Sequence, residues 1–124
     1  MTVRNRRFSK NERLKSRKEI SRIFKNGIFL YSENFSLGYS VSRSENNKFT
    51  VAVPKRNIKS AVARNRIKRL LREAYRKNKF IIYEKTGKSF NILLIFRQKK
   101  ALTYAAAEQE LVMLLKKMLN KAGI

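Results

Sequence analysis

Several of the side chains that most often carry acid–base or nucleophilic catalysis are missing from this chain. It has no His, no Cys and no Asp, and its eight acids are all Glu, scattered singly along 124 residues. Neither a carboxylate pair nor a two-metal nuclease site can be assembled from that inventory, and the usual general bases are missing. What the chain holds in quantity is positive charge, 31 Lys plus Arg against eight acids, for a formal net charge of +23. That is far beyond the small excess that keeps a domain soluble, and it makes nucleic acid the leading partner. The densest stretch runs from Lys55 to Lys77, with ten Lys or Arg and a single acid, Glu73. Cations packed this closely repel one another unless a polyanion is present, so the chemistry on offer is the binding of phosphate.

A helix must carry these cations. Ile67, Leu70, Leu71 and Ala74 recur at the i, i+3, i+4, i+7 spacing of one helical face within the run from Ala63 to Arg76. At about 100° per residue, Asn65, Lys68, Arg69, Arg72 and Arg76 fall on the opposite side, with Arg66 and Arg64 nearer the flanks. An ordinary solvated face interleaves both signs so that i, i+4 pairs attract, and this one does not. Basic amphipathic helices also lie on anionic lipid. Here the apolar face ends in small Ala63 and Ala74 and the chain has no Trp, which suits packing on a sheet. Gly87-Lys88-Ser89 ends like a phosphate-binding loop, but that motif needs Gly at position 82, where the chain has Ile82.

The remaining elements follow from pattern. Residues 1–15 read as a flexible basic arm, with Arg4, Arg6, Arg7, Lys10, Arg13 and Lys15 and little to bury, and residues 16–124 as one domain. Ser16-Arg17-Lys18-Glu19 has the capping-box pattern, so a short helix is expected over about 17–26, with Gly27 placed to close it in the left-handed conformation. Phe35, Leu37, Tyr39 and Val41 alternate with Ser36, Gly38 and Ser40, a strand over 34–42 with one large and one small face. A polar turn at 42–47 and a strand at 48–53 complete an expected antiparallel hairpin, ended by Pro54. Ile28 to Tyr31 either extends the first strand or forms its own. After a loop or frayed helix over 80–88, Ser89 to Phe96 is apolar on both faces apart from Asn91, which marks the most covered strand. A last helix is expected from Thr103 to about Asn120, burying Ala107, Leu111, Leu114, Leu115 and Met118. The order α, β, β, possibly β, α, β, α gives a single-domain α+β sandwich, a small and mostly antiparallel sheet with helices packed on it. Without Cys the chain has no disulfide framework. With no apolar run near ~20 residues and no apolar h-region, it reads as cytoplasmic, with no membrane partner.

Two blocks of sequence resemble a known family. Val51-Ala52-Val53-Pro54-Lys55-Arg56, followed by the helix from Ala61 to Arg76 with its signature Arg64-Asn65-Arg66, resembles the bacterial ribonuclease P protein subunit. The likeness extends to Ile23-Phe24-Lys25-Asn26-Gly27, the paired strands, the apolar strand and Leu102-Thr103-Tyr104. It implies a small basic protein that joins a catalytic RNA and helps it remove the 5′ leader from precursor transfer RNA. The RNA carries the hydrolysis with Mg2+ bound through the RNA, and the protein alone is inactive, binds no cofactor and requires no protein partner. The resemblance also implies a left-handed β-α-β crossover around the basic helix, where the general rule favours right-handed. Carried over by position, Arg64, Asn65, Arg66, Lys68, Arg69 and Arg72 contact the RNA, with Lys55, Arg56 and Lys59 on the preceding loop. A cleft between the first helix and the sheet holds the leader, lined by Phe24 and by Phe35 or Tyr39. Ile20 stands where many members have an aromatic residue, and it can pack against a base but not stack on it. From the residues themselves, helical spacing and strand alternation predict core for Phe24 and Tyr39 as readily as cleft. The competing reading is a ribosomal-type protein that only stabilises folded RNA.

Overall fold

The computed structural model describes residues 12–42, 45–83 and 88–123. Its elements are α1 (Arg17–Asn26), β1 (Ile28–Tyr31), β2 (Phe35–Ser42), β3 (Lys48–Ala52), α2 (Ala61–Asn78), the single turn α3 (Phe80–Tyr83), β4 (Ser89–Phe96) and α4 (Tyr104–Lys121). Among the described residues no helix is long and apolar enough to cross a membrane.

The four strands form one mixed sheet in the order β1-β2-β4-β3. β1 and β2 are the hairpin, antiparallel with Phe29 opposite Gly38 and Leu30 opposite Leu37. The expected β2–β3 hairpin does not form. β4 lies between them, antiparallel to β2 from Phe35↔Phe96 to Ser42↔Ser89 and parallel to β3 from Lys48↔Asn91 to Ala52↔Ile95. The physical reason lies in β4 itself: a strand apolar on both faces loses least by being covered on both, and that requires a central position. β3, α2 and β4 therefore make the β-α-β unit that carries the basic helix.

Alternation divides the sheet into two faces. Phe35, Leu37 and Tyr39 of β2, Phe49 and Val51 of β3, and Phe90, Ile92, Leu94 and Phe96 of β4 join the main core with Ile67, Leu71, Ala74 and Tyr75 of α2 and the apolar stripe of α4. Phe49 and Tyr75 stack with centroids 4.0 Å apart and parallel planes. On the other face a smaller cluster forms around Leu14, Ile23 and Leu93, with Ile20, Phe29, Ala52 and Ile95 packed against it. α1 thus covers the face opposite to α2 and α4.

Caps bear out the helix ends with one change. Ser16, Ser60 and Thr103 each accept a hydrogen bond from the amide three residues on, fixing the starts of α1, α2 and α4. Gly27 is extended (φ −74°, ψ 169°) where a left-handed cap was expected. Glycine is needed there for close approach instead, since a Cβ would lie 2.5 Å from the Ile23 carbonyl oxygen and 2.8 Å from that of Tyr39. Gly123, beyond α4, does take a positive φ of 81°.

The arm expected to run to Lys15 lies outside the described residues up to position 11. Positions 12–14 are fixed. The Lys79 ammonium donates to both Glu12 carboxylate oxygens at 2.7 and 2.9 Å, with Lys79 1% and Glu12 7% exposed. The Leu14 amide donates to the Phe49 carbonyl at 3.1 Å, extending the β3 edge by a single bridge. The turn or loop positions 43, 44 and 84–87 also fall outside the described residues.

Candidate nucleic-acid interface

α2 presents its cations much as its periodicity requires. Ile67, Leu71, Ala74 and Tyr75 are buried, and Asn65, Arg66, Arg69 and Arg72 are exposed. Lys68 and Arg64 are half-buried on the flank. Arg76 is held by Glu73, its Nε donating to the carboxylate at 2.9 Å, and that guanidinium keeps the Glu73 carboxyl below its ordinary pKa. Arg64 does a different task from its neighbours: its guanidinium donates to the carbonyls of Ile58 (3.0 Å) and Lys59 (2.8 Å). It clamps the loop that follows Pro54, whose carbonyl in turn accepts from the amides of Asn57 and Ile58. Lys55, Arg56 and Lys59 stand exposed on that loop. The rigid loop and the helix face form one continuous cationic surface.

The opposite face of the sheet carries a second surface, aromatic where the first is charged. Phe24 on α1 is 60% exposed, and its ring centroid lies 5.8 Å from that of Phe29. Phe29 is followed by Tyr31, 62% exposed, at 6.4 Å with planes 22° apart. The Arg97 guanidinium carbon lies 5.5 Å from the Tyr31 ring centre, a cation–π contact that ends the row. Arg97 also donates to the Ser32 carbonyl at 3.0 Å, and its amide donates to Asn34 at 2.8 Å. Glu110 of α4 fixes the same turn, accepting from the Asn34 amide and side chain at 3.0 and 2.8 Å. The row is therefore mounted on rigid backbone, with exposed rings at each end.

Of the residues expected to line this cleft, the structure brings Phe24 to it. Ile20 is half-buried against the Ile23–Leu93 cluster beneath. Phe35 and Tyr39 are not there. They are 0% and 3% exposed on the other side of the sheet, packed on Phe96 and Phe90. The large face of β2 turns to the main core because α2 and α4 have more apolar area to cover, and the small face turns to α1. Sequence reading missed Phe29 and Tyr31, although a signal existed. A strand whose second face carries only Ser36, Gly38 and Ser40 leaves room for large partners from its neighbour, and a Cβ at Gly38 would lie 2.6 Å from the Phe29 ring.

A cationic helix surface on one side of a mixed sheet, and an aromatic row ended by arginine on the other, define a small α+β protein built to bind polynucleotides. Comparison with known proteins narrows the class. A family model described as Ribonuclease P matches residues 8–119. A ribonuclease P protein component from Thermotoga petrophila is 32% identical over 116 residues, spanning 90% of this chain and 95% of the relative. The solved ribonuclease P protein of Thermotoga maritima superposes with a TM-score of 0.73 at 29% identity, covering 86% of this chain and 96% of that one. That of Staphylococcus aureus superposes with a TM-score of 0.70 at 25% identity, covering 86% and 94%. The chain belongs to the ribonuclease P protein family.

Proposed function

We propose that this chain is the protein subunit of a ribonuclease P holoenzyme, which removes the 5′ leader of precursor transfer RNA. The observation that carries this reading is the placement of two chemically distinct surfaces on opposite faces of one sheet. The α2 surface, with Asn65, Arg66, Lys68, Arg69 and Arg72 and the loop cations Lys55, Arg56 and Lys59, suits the phosphates of a folded catalytic RNA. The row Phe24–Phe29–Tyr31 suits unpaired bases, since aromatic rings stack on single strands and not on the interior of a duplex. The protein thereby bridges catalyst and leader, and its cations lower the repulsion between two RNAs. Hydrolysis belongs to the RNA and its magnesium. A chain without His, Cys or Asp supports that division. A ribosomal-type role is disfavoured by the family to which the chain belongs.

Reconstitution tests this directly. The protein alone is expected to leave precursor transfer RNA uncut, and addition of a bacterial ribonuclease P RNA should give leader removal at magnesium too low for the RNA by itself. Leader removal by RNA-free protein would overturn the reading. The α2 surface has its own test in the salt dependence of RNA-subunit binding. Arg69→Ala should flatten the logarithmic slope by roughly 0.7 to 1 unit, the loss of one phosphate contact. Asn65→Ala should weaken binding with little change in slope, because the amide carries no charge. An equal slope change in both variants would contradict that assignment.

A further inference from the structure

Between α2 and the start of α4 lies a shallow notch of about 430 Å³, lined by Arg66, Arg69, Leu70, Glu73 and Tyr104. Its aromatic wall is held in place. The Tyr104 hydroxyl donates to Glu108 at 3.0 Å, and Glu108 also accepts from the Asn78 side chain at 2.9 Å, tying the first turn of α4 to the last of α2. Lys77 Nζ lies 5.5 Å from the ring centre. Desolvation, and then the Glu108 hydrogen bond, push the phenol up to about 12, so it stays neutral at physiological pH. Glu73, the one acid in the lining, already faces Arg76, which offsets its repulsion of an incoming phosphate.

A fixed ring beside a half-buried Leu70, with two exposed guanidiniums on the same lining, is more than phosphate binding needs. Phosphates on a duplex would use Arg66 and Arg69 and leave Tyr104 and Leu70 uncovered. A base turned out of its helix would use all four: its flat apolar face against the ring and the leucine, and its flanking phosphates at the arginines. We propose that the notch receives one unpaired nucleotide of the RNA subunit, its base against Tyr104 and its phosphates at Arg66 and Arg69. This rests on the reading of α2 as the surface for that RNA.

The test uses the full chain and a bacterial ribonuclease P RNA, with no precursor present. Acylation of 2′-hydroxyls at nucleotide resolution reports which unpaired positions are immobilised in the complex. At saturating protein, an unpaired nucleotide protected by wild type should become reactive with Tyr104→Leu, which keeps apolar bulk and loses the ring. Affinity should fall about tenfold, within the worth of one base–aromatic stack, with an unchanged salt slope. Tyr104→Phe keeps the ring and should retain the protection and most of the affinity. The proposal fails if the Leu variant gives the wild-type reactivity pattern, if the Phe variant loses as much as the Leu variant, or if the loss tracks a lowered melting temperature. It fails also if protection appears only when precursor transfer RNA is added, since the notch would then belong to the substrate. Arg72→Ala, outside the notch, separates this from the parent reading. An unchanged affinity and salt slope there would overturn α2 as the RNA-subunit surface. A flattened slope beside Tyr104 variants that bind as wild type would overturn the notch alone.

Discussion

Lys79→Met is expected to lower folding stability by about 3–5 kcal/mol, the usual cost of removing one partner of a buried pair. Lys79 Nζ lies 2.7 and 2.9 Å from the two Glu12 oxygens, and neither side chain reaches solvent to a useful degree. Removing the ammonium takes from the buried Glu12 carboxylate the two hydrogen bonds that offset its desolvation. The double variant Glu12→Leu/Lys79→Met removes both charges and should recover much of that loss, because desolvating an ion pair costs about as much as its attraction returns. Urea denaturation of the wild type, both single variants and the double variant measures the coupling. A single-variant loss below about 1 kcal/mol, the range of an exposed pair, would show that the pair is open to solvent.

Tyr39→Ala and Phe24→Ala should separate cleanly, because the sheet puts them on opposite sides. Tyr39 is 3% exposed and sits edge-on to Phe90 at 5.9 Å. Its truncation should cost roughly 3–5 kcal/mol of folding stability, as loss of a buried aromatic does, and weaken every RNA interaction together. Phe24 is 60% exposed. Its truncation should change stability by only about 0.5 kcal/mol, as surface substitutions do, and should cost about 1 to 3 kcal/mol in binding precursor. Mature transfer RNA, which has no leader, should bind as before. Thermal melts beside affinities for the two RNAs decide the matter, and equal losses on both RNAs for Phe24→Ala would remove it from the leader surface.

Local chemistry made most of the elements legible. Ser16, Ser60 and Thr103 announce helix starts through their own side chains, and the stripes of α2 and α4 need no tertiary information. The pairing of β2 with β4 was not legible, because strand alternation records which face is buried and not which edge is paired. A polar segment at 42–47 between two in-phase strands looks like a hairpin turn whether or not another strand enters the gap. The same limit explains the cleft. Phe35 and Tyr39 occupy the larger face of β2, and only the relative apolar area of α1, α2 and α4 decides which helix meets that face. Arg64 was legible as a cation, but its role as a loop clamp depends on where the carbonyls of Ile58 and Lys59 point.

The central place of β4 has a consequence for how the chain assembles. β1 and β2 can pair as soon as both exist, since the contact is local. β2 and β3 flank β4 and so lie about 10 Å apart, two strand spacings. Until Ser89 to Phe96 has been synthesised, both inner edges stand open and α2 has only part of a floor to pack on. The two pairings that close the sheet, β2–β4 and β3–β4, then wait on one late segment of high sequence separation, so sheet closure carries the loop-closure entropy of the whole β3-α2-β4 unit. During that interval the open backbone edges of β2 and β3 are the places where a second nascent chain could pair.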